Sequence, residues 1–350
     1  MKIQFVTDTL HPGGSERVMS IIANSLASRG YEVGIICCRG TESFYPLQDV
    51  NVYYIDRDNP NLSFLKKSRC LRKYICQQKP DVVIAFMTAV YCFTLASLIG
   101  TGQKVITSER IDPKKSVWWR KLVRSVFLPL TDFHVVQTEE IKKYFSRSIQ
   151  QRCSIIVNPV VETVFEKKDV PKTKRFINVA RLSGQKDQKM LIDAFEIVHS
   201  KYPDYTLSIF GEGPLENELK QYIRNKGLDN CAFIEGTSTE IVDEMRKSFA
   251  FCLSSLYEGM SNAMLEAICV GLPIITTNVS GVSEIIEVDS NGVVVPVHDT
   301  NKFAQAMCKL IENPQLVEAM SKNNIAKGSE MFSCDAVTNK WESVIKMVIN

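Results

Sequence analysis

The sequence predicts an α/β protein built from two doubly wound, Rossmann-like domains. Short Val- and Ile-rich runs alternate with helical stretches, and the pattern occurs twice in a chain of 350 residues, which exceeds the usual size of one domain. Hydrophobic residues make up 45% of the chain and charged residues 23%. This composition is typical of globular proteins and excludes disorder, collagen-like repeats and coiled coil.

The first half of the chain begins with a strand over Ile3–Thr7, the turn Gly13-Gly14 and a helix from about Ser15 to Arg29. Further apolar runs predict strands over Val33–Cys37, Val50–Ile55, Val82–Phe86, Val105–Ser108 and His134–Gln137. Residues 82–103 carry no charge over a length that could span a membrane. Their short apolar run and helically spaced Thr and Ser residues favour a buried strand followed by a packed helix.

The second half repeats the alternation. Its apolar runs predict strands over Phe176–Val179, Leu207–Phe210, Ala232–Ile234, Phe251–Leu253, Ile274–Thr277 and Val293–Val295, with helices such as Pro214–Asn225 and Met260–Cys269. Asn158-Pro159 and the charged stretch Glu166–Lys174 are the predicted linker, so the domains are expected over 1–165 and 166–334. Ligands of open parallel sheets bind beyond the carboxyl ends of the strands, and two such domains facing one another would place the chemistry in a cleft between them.

Charge is distributed unevenly along the chain. Residues 1–165 carry 22 Lys and Arg against 14 Asp and Glu, and the remainder carries 20 against 25, so the halves have net charges of +8 and −5 within a total of +3. The basic half suggests an anionic partner, such as membrane headgroups, a lipid phosphate or nucleic acid. Nucleic acid is disfavoured, because no reader motif or strand with stacking aromatic residues is present.

One basic stretch also carries apolar side chains at helical spacing. Its predicted membrane-contacting residues are Lys114, Lys115, Trp118, Trp119, Arg120, Lys121 and Arg124. Basic residues around a tryptophan-bearing apolar face suit a helix lying on an anionic membrane. An amphipathic helix packed on its own domain, with a solvated basic face, fits the same pattern equally well.

The sequence gives little evidence for disulfide bonds or for a metal site. The eleven cysteines form no CxxC pair, which favours reduced thiols in a cytoplasmic protein, and the first residues do not resemble a signal peptide. Asp56-Arg57-Asp58 has the spacing of a metal-binding DxD, but this spacing is common and solvated acids are the better interpretation. No zinc-ligand spacing occurs, and we predict neither a metal nor a cofactor.

Two loops that follow predicted strands carry groups suited to anions. Gly13-Gly14 opens a helix after the first strand, which lets backbone amides approach an anion, although a purely structural turn is equally compatible. The loop lacks both the GxGxxG and the P-loop pattern. Arg181 and Lys186, in VARLSGQKD, could clamp a diphosphate, or could be two solvated loop cations.

The segment EGMSNAMLE follows the strand Phe251–Leu253 and leads into a helix. Its carboxylates, Glu258 and Glu266, are eight residues apart and therefore lie near one face. Backbone amides at the helix start could hold a phosphate while the carboxylates accept bonds from sugar hydroxyls. An ordinary acidic helix is the alternative, but Glu266 lies among apolar neighbours and needs a partner there.

Several motifs together resemble one enzyme family. VARLSGQKD, IFGEGPLENEL, FIEGTSTEIVDEM, SSLYEGMSNAMLEAICVGLPIITT and SGVSEIIEVDSNGVVVPV resemble, in order and spacing, the retaining glycosyltransferases of family 4, also called group 1. The opening strand with Gly13-Gly14 is similar to the first loop of that family. The resemblance implies the GT-B fold, with an N-terminal acceptor-binding domain and a C-terminal nucleotide-sugar-binding domain. A C-terminal helix over about 335–350 would pack back on the N-terminal domain.

The resemblance also implies residue roles. Arg181 and Lys186 would clamp the donor diphosphate. Glu258 would contact the donor sugar, and Glu266 would bind the ribose hydroxyls. Backbone contacts to the donor, or the turns that make room for it, would come from Gly14, Gly211, Gly213, Gly236, Ser261, Asn262 and Ala263.

One departure from the family concerns the loop after Val105–Ser108, where many relatives place a histidine. Here Glu109-Arg110 occupies that place. Arg110 stays protonated and cannot act as a base, although it could hold a phosphate or sugar oxygen. Glu109 is the expected substitute for orienting the acceptor and completes the predicted catalytic set with Glu258, Arg181 and Lys186.

The resemblance implies a metal-independent, retaining transfer of a hexose or N-acetylhexosamine from a nucleotide-diphosphate sugar, with UDP favoured. The expected acceptor is a saccharide linked to polyprenyl diphosphate, used in bacterial surface glycan biosynthesis at the inner face of the plasma membrane. A nucleotide-sugar hydrolase or epimerase on the same fold is the alternative.

Overall fold

The computed structural model describes residues 1–57, 62–166, 168 and 170–350. Their secondary structure falls into two α/β units. Unit 1 comprises Met1–Pro159 together with Cys334–Asn350, and unit 2 comprises Val160–Ser333.

Seven parallel strands form the sheet of unit 1. They are β1 (Lys2–Thr7), β2 (Glu32–Cys37), β3 (Val50–Tyr54), β4 (Val82–Phe86), β5 (Val105–Ser108), β6 (Phe133–Val136) and β7 (Cys153–Ile155). Their order in the sheet is β3-β2-β1-β4-β5-β6-β7. The helices are α1 (Gly14–Ser28), α2 (Phe64–Gln78), α3 (Thr88–Leu98), α4 (Trp118–Phe127), α5 (Glu139–Tyr144), α6 (Arg147–Gln150) and α14 (Cys334–Ile349). The central strands are Val- and Ile-rich and buried, because helices cover both faces of the sheet.

The C-terminal helix α14 contributes to the core of unit 1. Trp341 is fully buried, and its ring stacks on that of Phe86 in β4 with ring centroids 5.7 Å apart. At the surface, Arg29 forms an ion pair with Asp335 at 2.6 Å. Two distant segments of the chain thereby form one core.

Six parallel strands form the sheet of unit 2. They are β8 (Arg175–Val179), β9 (Thr206–Phe210), β10 (Ala232–Gly236), β11 (Ala250–Leu253), β12 (Ile274–Thr277) and β13 (Gly292–Val295), in the order β10-β9-β8-β11-β12-β13. The helices are α7 (Gln188–Lys201), α8 (Glu216–Asn225), α9 (Ile241–Lys247), α10 (Asn262–Cys269), α11 (Val282–Ile285), α12 (Thr300–Glu312) and α13 (Pro314–Phe332).

The structure differs from the sequence prediction in several element bounds and in the boundary between the units. The short strand β7 was not predicted, and α10 begins at Asn262 instead of Met260 because Ser261 caps it. The units divide after Pro159 and not after residue 165, since the amide of Val160 donates to the carbonyl of Phe332 at 2.8 Å.

The stretch Glu166–Lys174, predicted as linker, belongs to unit 2, although its residues 167 and 169 lie outside the described part of the chain. The buried guanidinium of Arg246 holds its start by donating to the carbonyls of Val164 and Glu166, both at 2.9 Å. Near its end, the amide of Thr173 donates to the carbonyl of Lys247 at 2.7 Å.

The uncharged segment 82–103 forms buried strand β4 and packed helix α3, as predicted. Within the described ranges, no helix has both the length and the apolar character needed to cross a membrane.

Strand order reverses at an equivalent point in the two sheets. In unit 1 the reversal lies between β1 and β4, and in unit 2 between β8 and β11. A crevice opens at such a point, beyond the carboxyl ends of the two strands, because their following connections run to opposite sides. Each unit therefore has one edge at which a ligand is expected.

Candidate active site

Two loops meet at the switch point of unit 2, one after β8 and one after β11. The hydroxyl of Ser254 donates to the carbonyl of Lys186 at 2.7 Å. The amide of Leu256 donates to the carbonyl of Gln185, and the Gln185 side chain donates to the carbonyl of Tyr257, both at 2.8 Å. The positions of residues 185–186 are therefore fixed by the neighbouring strand's loop.

Lys186 and Glu258 form an ion pair across these loops. The ammonium of Lys186 contacts Oε1 of Glu258, and the fully buried hydroxyl of Ser255 donates to the same oxygen at 2.6 Å. Glu258 is only 7% exposed. The pair places a cation and a hydrogen-bond acceptor side by side, which suits a ligand that carries both phosphate and hydroxyl groups.

Arg181 is held through its backbone while its side chain is exposed. The Gln188 side chain, at the start of α7 and 1% exposed, donates to the carbonyl of Arg181 at 3.0 Å. The guanidinium makes no hydrogen bond or ion pair with any described residue, and it lies on the same loop as Lys186. It is therefore available to an anion.

Helix α10 starts at the same edge of the sheet. Ser261 is its N-cap and accepts a hydrogen bond from the amide of Met264 at 3.4 Å. Asn262 and Ala263 form the first turn, where the positive end of the helix dipole favours an anion. Glu266, one turn further along, is 4% exposed.

Glycine is required where the turns after β8, β9 and β10 touch. A Cβ on Gly211, whose φ is +135°, would lie 2.1 Å from the carbonyl oxygen of Ala180, and the Gly211 amide donates to the carbonyl of Gly236 at 2.6 Å. A Cβ on Gly213 would lie 2.2 Å from the carbonyl oxygen of Leu182. These contacts bring the three strand ends close together beside the charged loops.

The structure thus assembles most of the predicted donor residues at one edge of unit 2. The assembled residues are Arg181, Lys186, Gly211, Gly213, Gly236, Glu258, Ser261, Asn262, Ala263 and Glu266. Sequence reasoning did not identify Ser254, Ser255, Gln185 and Gln188, which brace these loops. Polar residues placed directly after a buried strand are the signal that could have indicated the two serines.

The remaining two predicted site residues lie in unit 1. Gly14 is the first residue of α1, and the preceding Gly13 is fastened by Tyr45. The Gly13 amide donates to the Tyr45 hydroxyl at 3.0 Å, and that hydroxyl donates to the Gly13 carbonyl at 2.9 Å. A Cβ on Gly13 would lie 2.3 Å from a carboxylate oxygen of Glu16, so a larger residue there would displace the Glu16 side chain.

Glu109 is buried, with 1% of its surface exposed. Its carboxylate accepts hydrogen bonds from Thr88 at 2.9 Å and Tyr91 at 2.8 Å, and it lies 3.5 Å from the guanidinium of Arg124. Burial raises the pKa of Glu109, while the Tyr91 bond and Arg124 act in the opposite direction. The carboxylate is turned to the interior of unit 1, so the predicted direct role of Glu109 in orienting an acceptor has no exposed group behind it.

Arg110 is also buried. Its guanidinium lies 4.3 Å from the centroid of the Phe86 ring and donates to the Asn158 side chain at 2.8 Å. Burial lowers its pKa to about 9. The sequence left open a role in holding phosphate, whereas the structure packs this group inside the unit.

Helix α4 exposes the outer part of its apolar face and buries one of its basic residues. Trp118 is 77% exposed, Leu122 58% and Val126 59%, whereas Arg124 is 3% exposed and donates to Tyr144 at 2.8 Å. Packing of the apolar face on its own domain is therefore wrong for these three residues. The prediction that Arg124 faces a membrane is also wrong, because it binds inside unit 1.

The other predicted membrane cations differ in their surroundings. Lys114 forms an ion pair with Glu140 at 2.5 Å. Trp119 is 47% exposed, and the Arg120 guanidinium lies 5.2 Å from its ring centroid. Lys121 is partly buried, and the side chain of Lys115 lies outside the described part of the structure.

The DxD sequence does not form an exposed acidic pair in the described structure. Asp56 is 6% exposed and forms an ion pair with Lys67 at 3.1 Å, whereas Asp58 lies outside the described residues. In the part of the chain that the structure describes, no group of three or more His, Cys, Asp and Glu residues is placed to hold a metal ion.

Two family models of glycosyltransferases match this chain. The family model described as glycosyl transferases group 1 matches residues 160–327, and that of glycosyltransferase family 4 matches residues 12–163. An uncharacterized glycosyltransferase of Haemophilus influenzae is 26% identical over 352 residues, covering 97% of this chain and 98% of the relative.

A Campylobacter jejuni relative is 26% identical over 369 residues, covering 100% of this chain and 99% of its own. Its name describes an α-1,4-N-acetylgalactosaminyltransferase acting on a GalNAc-GalNAc-diNAcBac saccharide linked to diphosphoundecaprenol. Among solved structures, Anabaena HepE in complex with UDP has a TM-score of 0.82 at 18% identity, covering 99% of this chain and 100% of that one.

Proposed function

Because this chain belongs to the family 4 (group 1) glycosyltransferases and has their GT-B fold, we propose that it transfers a hexose or N-acetylhexosamine from a UDP-sugar with retention of anomeric configuration. The acceptor is a saccharide linked to polyprenyl diphosphate, and the product enters bacterial surface glycan biosynthesis. The acceptor named for the Campylobacter relative and the UDP named for the Anabaena neighbour support these assignments.

The braced Lys186–Glu258 pair at the switch point of unit 2 carries the proposal. Lys186 and the exposed guanidinium of Arg181 neutralise the donor diphosphate, assisted by the first turn of α10. Glu258 accepts a hydrogen bond from a hydroxyl of the transferred sugar. Glu266 binds the ribose hydroxyls.

In the proposed reaction the acceptor hydroxyl attacks the anomeric carbon on the face from which UDP departs. The bond from the anomeric carbon to the diphosphate oxygen breaks, and a bond to the acceptor oxygen forms on the same face. The acceptor proton passes to the departing phosphate oxygen, so no separate base is needed. Arg181 and Lys186 stabilise the negative charge that develops on UDP, and this countercharge makes the step metal-independent in our proposal.

The protein acts, in this proposal, at the inner face of the plasma membrane. The exposed side chains of Trp118, Leu122 and Val126 would enter the interfacial region, with Arg120 and Lys121 at the headgroups. Each such cation contributes about 1 kcal/mol near an anionic surface. The buried Arg124 fixes α4 to unit 1 and makes no lipid contact in this arrangement.

Liposome co-sedimentation tests the membrane surface. We expect binding to vesicles containing phosphatidylglycerol that weakens with salt and decreases about tenfold or more in the variant Trp118→Ser, because one large apolar side chain is lost from the interface. Phe44→Ser is the matched control, because Phe44 is another exposed aromatic residue of unit 1, with 64% of its surface exposed. Binding that survives Trp118→Ser unchanged would contradict the assignment of α4.

The reaction is tested by incubating the enzyme with a panel of UDP-sugars, with and without a polyprenyl-diphosphate-linked saccharide. We expect a new glycosidic bond whose anomeric configuration, read by NMR, equals that of the donor. An inverted product, or free sugar or an epimer formed equally well without acceptor, would contradict the proposal and favour a hydrolase or epimerase.

A further inference from the structure

A cavity of about 340 Å3 lies at the carboxyl edge of the unit 1 sheet, beside its switch point. Val90 and Phe93 of α3 and Phe64 at the start of α2 form an apolar wall. Asp8, which follows β1, and Arg39, which follows β2, form a polar wall. The volume is within the range of small-ligand sites.

The charges of this cavity are compensated inside the protein. The Nε of Arg39 donates to Oδ1 of Asp8 at 2.8 Å, and an Nη of Arg39 contacts the second carboxylate oxygen. Lys67 is paired with Asp56 at 3.1 Å and donates to the carbonyl of Cys38 at 3.0 Å. The lining therefore offers little net positive charge to a phosphate, in contrast to the exposed Arg181 in unit 2.

The apolar wall ends in an accessible aromatic ring. Phe64 is 64% exposed, and its ring meets that of Phe93 edge to face with centroids 5.2 Å apart. A pyranose has an apolar C–H face that packs on such a ring and hydroxyl groups that both donate to a carboxylate and accept from a guanidinium. An alkyl chain in the same place would cover Asp8 and Arg39 without giving them hydrogen bonds, which is unfavourable.

The neighbouring surface continues the polar wall. Asp8 and Val90 also line a second cavity of about 320 Å3, whose walls include Glu16, Thr88 and Ser116. These groups add hydrogen-bond donors and acceptors beside the first cavity. The two cavities therefore offer successive polar positions for a ligand longer than one sugar ring.

We infer that the cavity formed by Asp8, Arg39, Phe64, Val90 and Phe93 is a subsite for a neutral saccharide. Phe64 packs against the C–H face of a pyranose, Asp8 accepts a hydrogen bond from one hydroxyl, and Arg39 donates to another oxygen. The bound ring would be a sugar unit of the acceptor, and this identification rests on the proposed function.

Saturation-transfer NMR tests the subsite with methyl glycosides of glucose, galactose, N-acetylglucosamine and N-acetylgalactosamine, each in the presence of UDP. We expect at least one probe to bind wild-type protein and to bind about fivefold more weakly to Phe64→Ala, because the stacking surface is lost. Leu65→Ala is the matched control, because Leu65 is the next residue, is 68% exposed and does not line the cavity. Asp8→Asn is expected to weaken binding by a similar factor.

Absence of binding by every probe, or equal binding to wild type and Phe64→Ala, would overturn the inference. Displacement of the glycoside by farnesyl diphosphate, a lipid diphosphate without sugar, would also overturn it by indicating an apolar-chain site. UDP titration of the same variants separates the two proposals. Unchanged UDP binding with lost glycoside binding supports the subsite, even if the transferase assay fails.

Discussion

The carboxyl edges of the two sheets share a topology and differ in how they use charge. In unit 2, Lys186 and Glu258 meet at the switch point beside the exposed guanidinium of Arg181. In unit 1, Asp8 is paired with Arg39, and Glu109 at the same edge is buried with Arg124. Apolar groups such as Phe64 are exposed there instead. One strand order can therefore present a charged edge, proposed here to bind a nucleotide diphosphate, or a charge-compensated edge, proposed here to bind a saccharide.

The largest expected effect comes from a substitution at the charged edge of unit 2. Glu258→Gln should lower kcat/KM by about 10²- to 10³-fold, because it removes the charge that positions Lys186 and weakens the bond to the donor sugar. Steady-state kinetics against Glu218→Gln, an exposed glutamate paired with Lys189, gives the comparison. Equal kinetics of the two variants would show that the charged edge of unit 2 is not the reaction site.

A second prediction concerns the backbone that supports this edge. Gly213→Ala should destabilise unit 2 by about 3 kcal/mol, because the new Cβ would lie 2.2 Å from a backbone carbonyl oxygen that cannot easily move. Urea unfolding measures the loss. The control is Gly184→Ala, where no atom lies within 4 Å of the added Cβ, and a similar loss in that variant would contradict the steric argument.

A third prediction concerns how the free energy of unfolding depends on pH through a buried histidine of unit 1. His134 is fully buried in unit 1, and burial lowers its pKa from 6.5 to about 3. Between these values the unfolded chain binds a proton that the folded protein excludes, so the free energy of unfolding falls as pH falls, by about 1.4 kcal/mol per pH unit. This contribution to the slope should be absent in His134→Gln. Urea unfolding from pH 7 to pH 4 measures it, and identical slopes would refute the buried neutral histidine.

The smallest expected effect lies at the edge of unit 2. The Nδ1 atom of His298 lies 2.6 Å from a carboxylate oxygen of Asp187, the residue that follows Lys186 in the sequence. The His298 side chain is 72% exposed. The Asp187 contact raises the pKa of His298, and Asp193 acts in the same direction. The ion pair is therefore present below pH 6.5 and is lost as pH rises through the elevated pKa. Because the pair is exposed, the donor KM should rise less than about threefold between pH 6 and pH 9. His298→Ala should abolish the rise, and a rise that persists in the variant would exclude this pair.

The strands of both units other than the three-residue β7 could be predicted, because buried parallel strands are continuous apolar runs of characteristic length. The contacts of Ser254 with Lys186 and of Gln185 with Tyr257 could not, because they join residues about 70 positions apart and depend on strand order. The boundary after Pro159 was missed for a similar reason, since Val160 is held by Phe332 from the other end of the unit.

Helix α4 shows a different limit of sequence reasoning. Its apolar and basic residues are separated on two faces, and such a pattern does not specify which face meets the protein. Arg124 turns inward because Tyr144 and Glu109 satisfy it there, which leaves Trp118 and Leu122 outward. Only the tertiary position of these partners decides the orientation.

The most direct test of the account is isothermal titration of UDP into variants of the two edges. Lys186→Ala in unit 2 should weaken UDP binding by about tenfold or more, because a charged hydrogen-bond donor to the diphosphate is lost. Phe64→Ala in unit 1 should leave UDP affinity unchanged. Unchanged affinity in Lys186→Ala, or a comparable loss in Phe64→Ala, would contradict the assignment of the donor to the charged edge of unit 2.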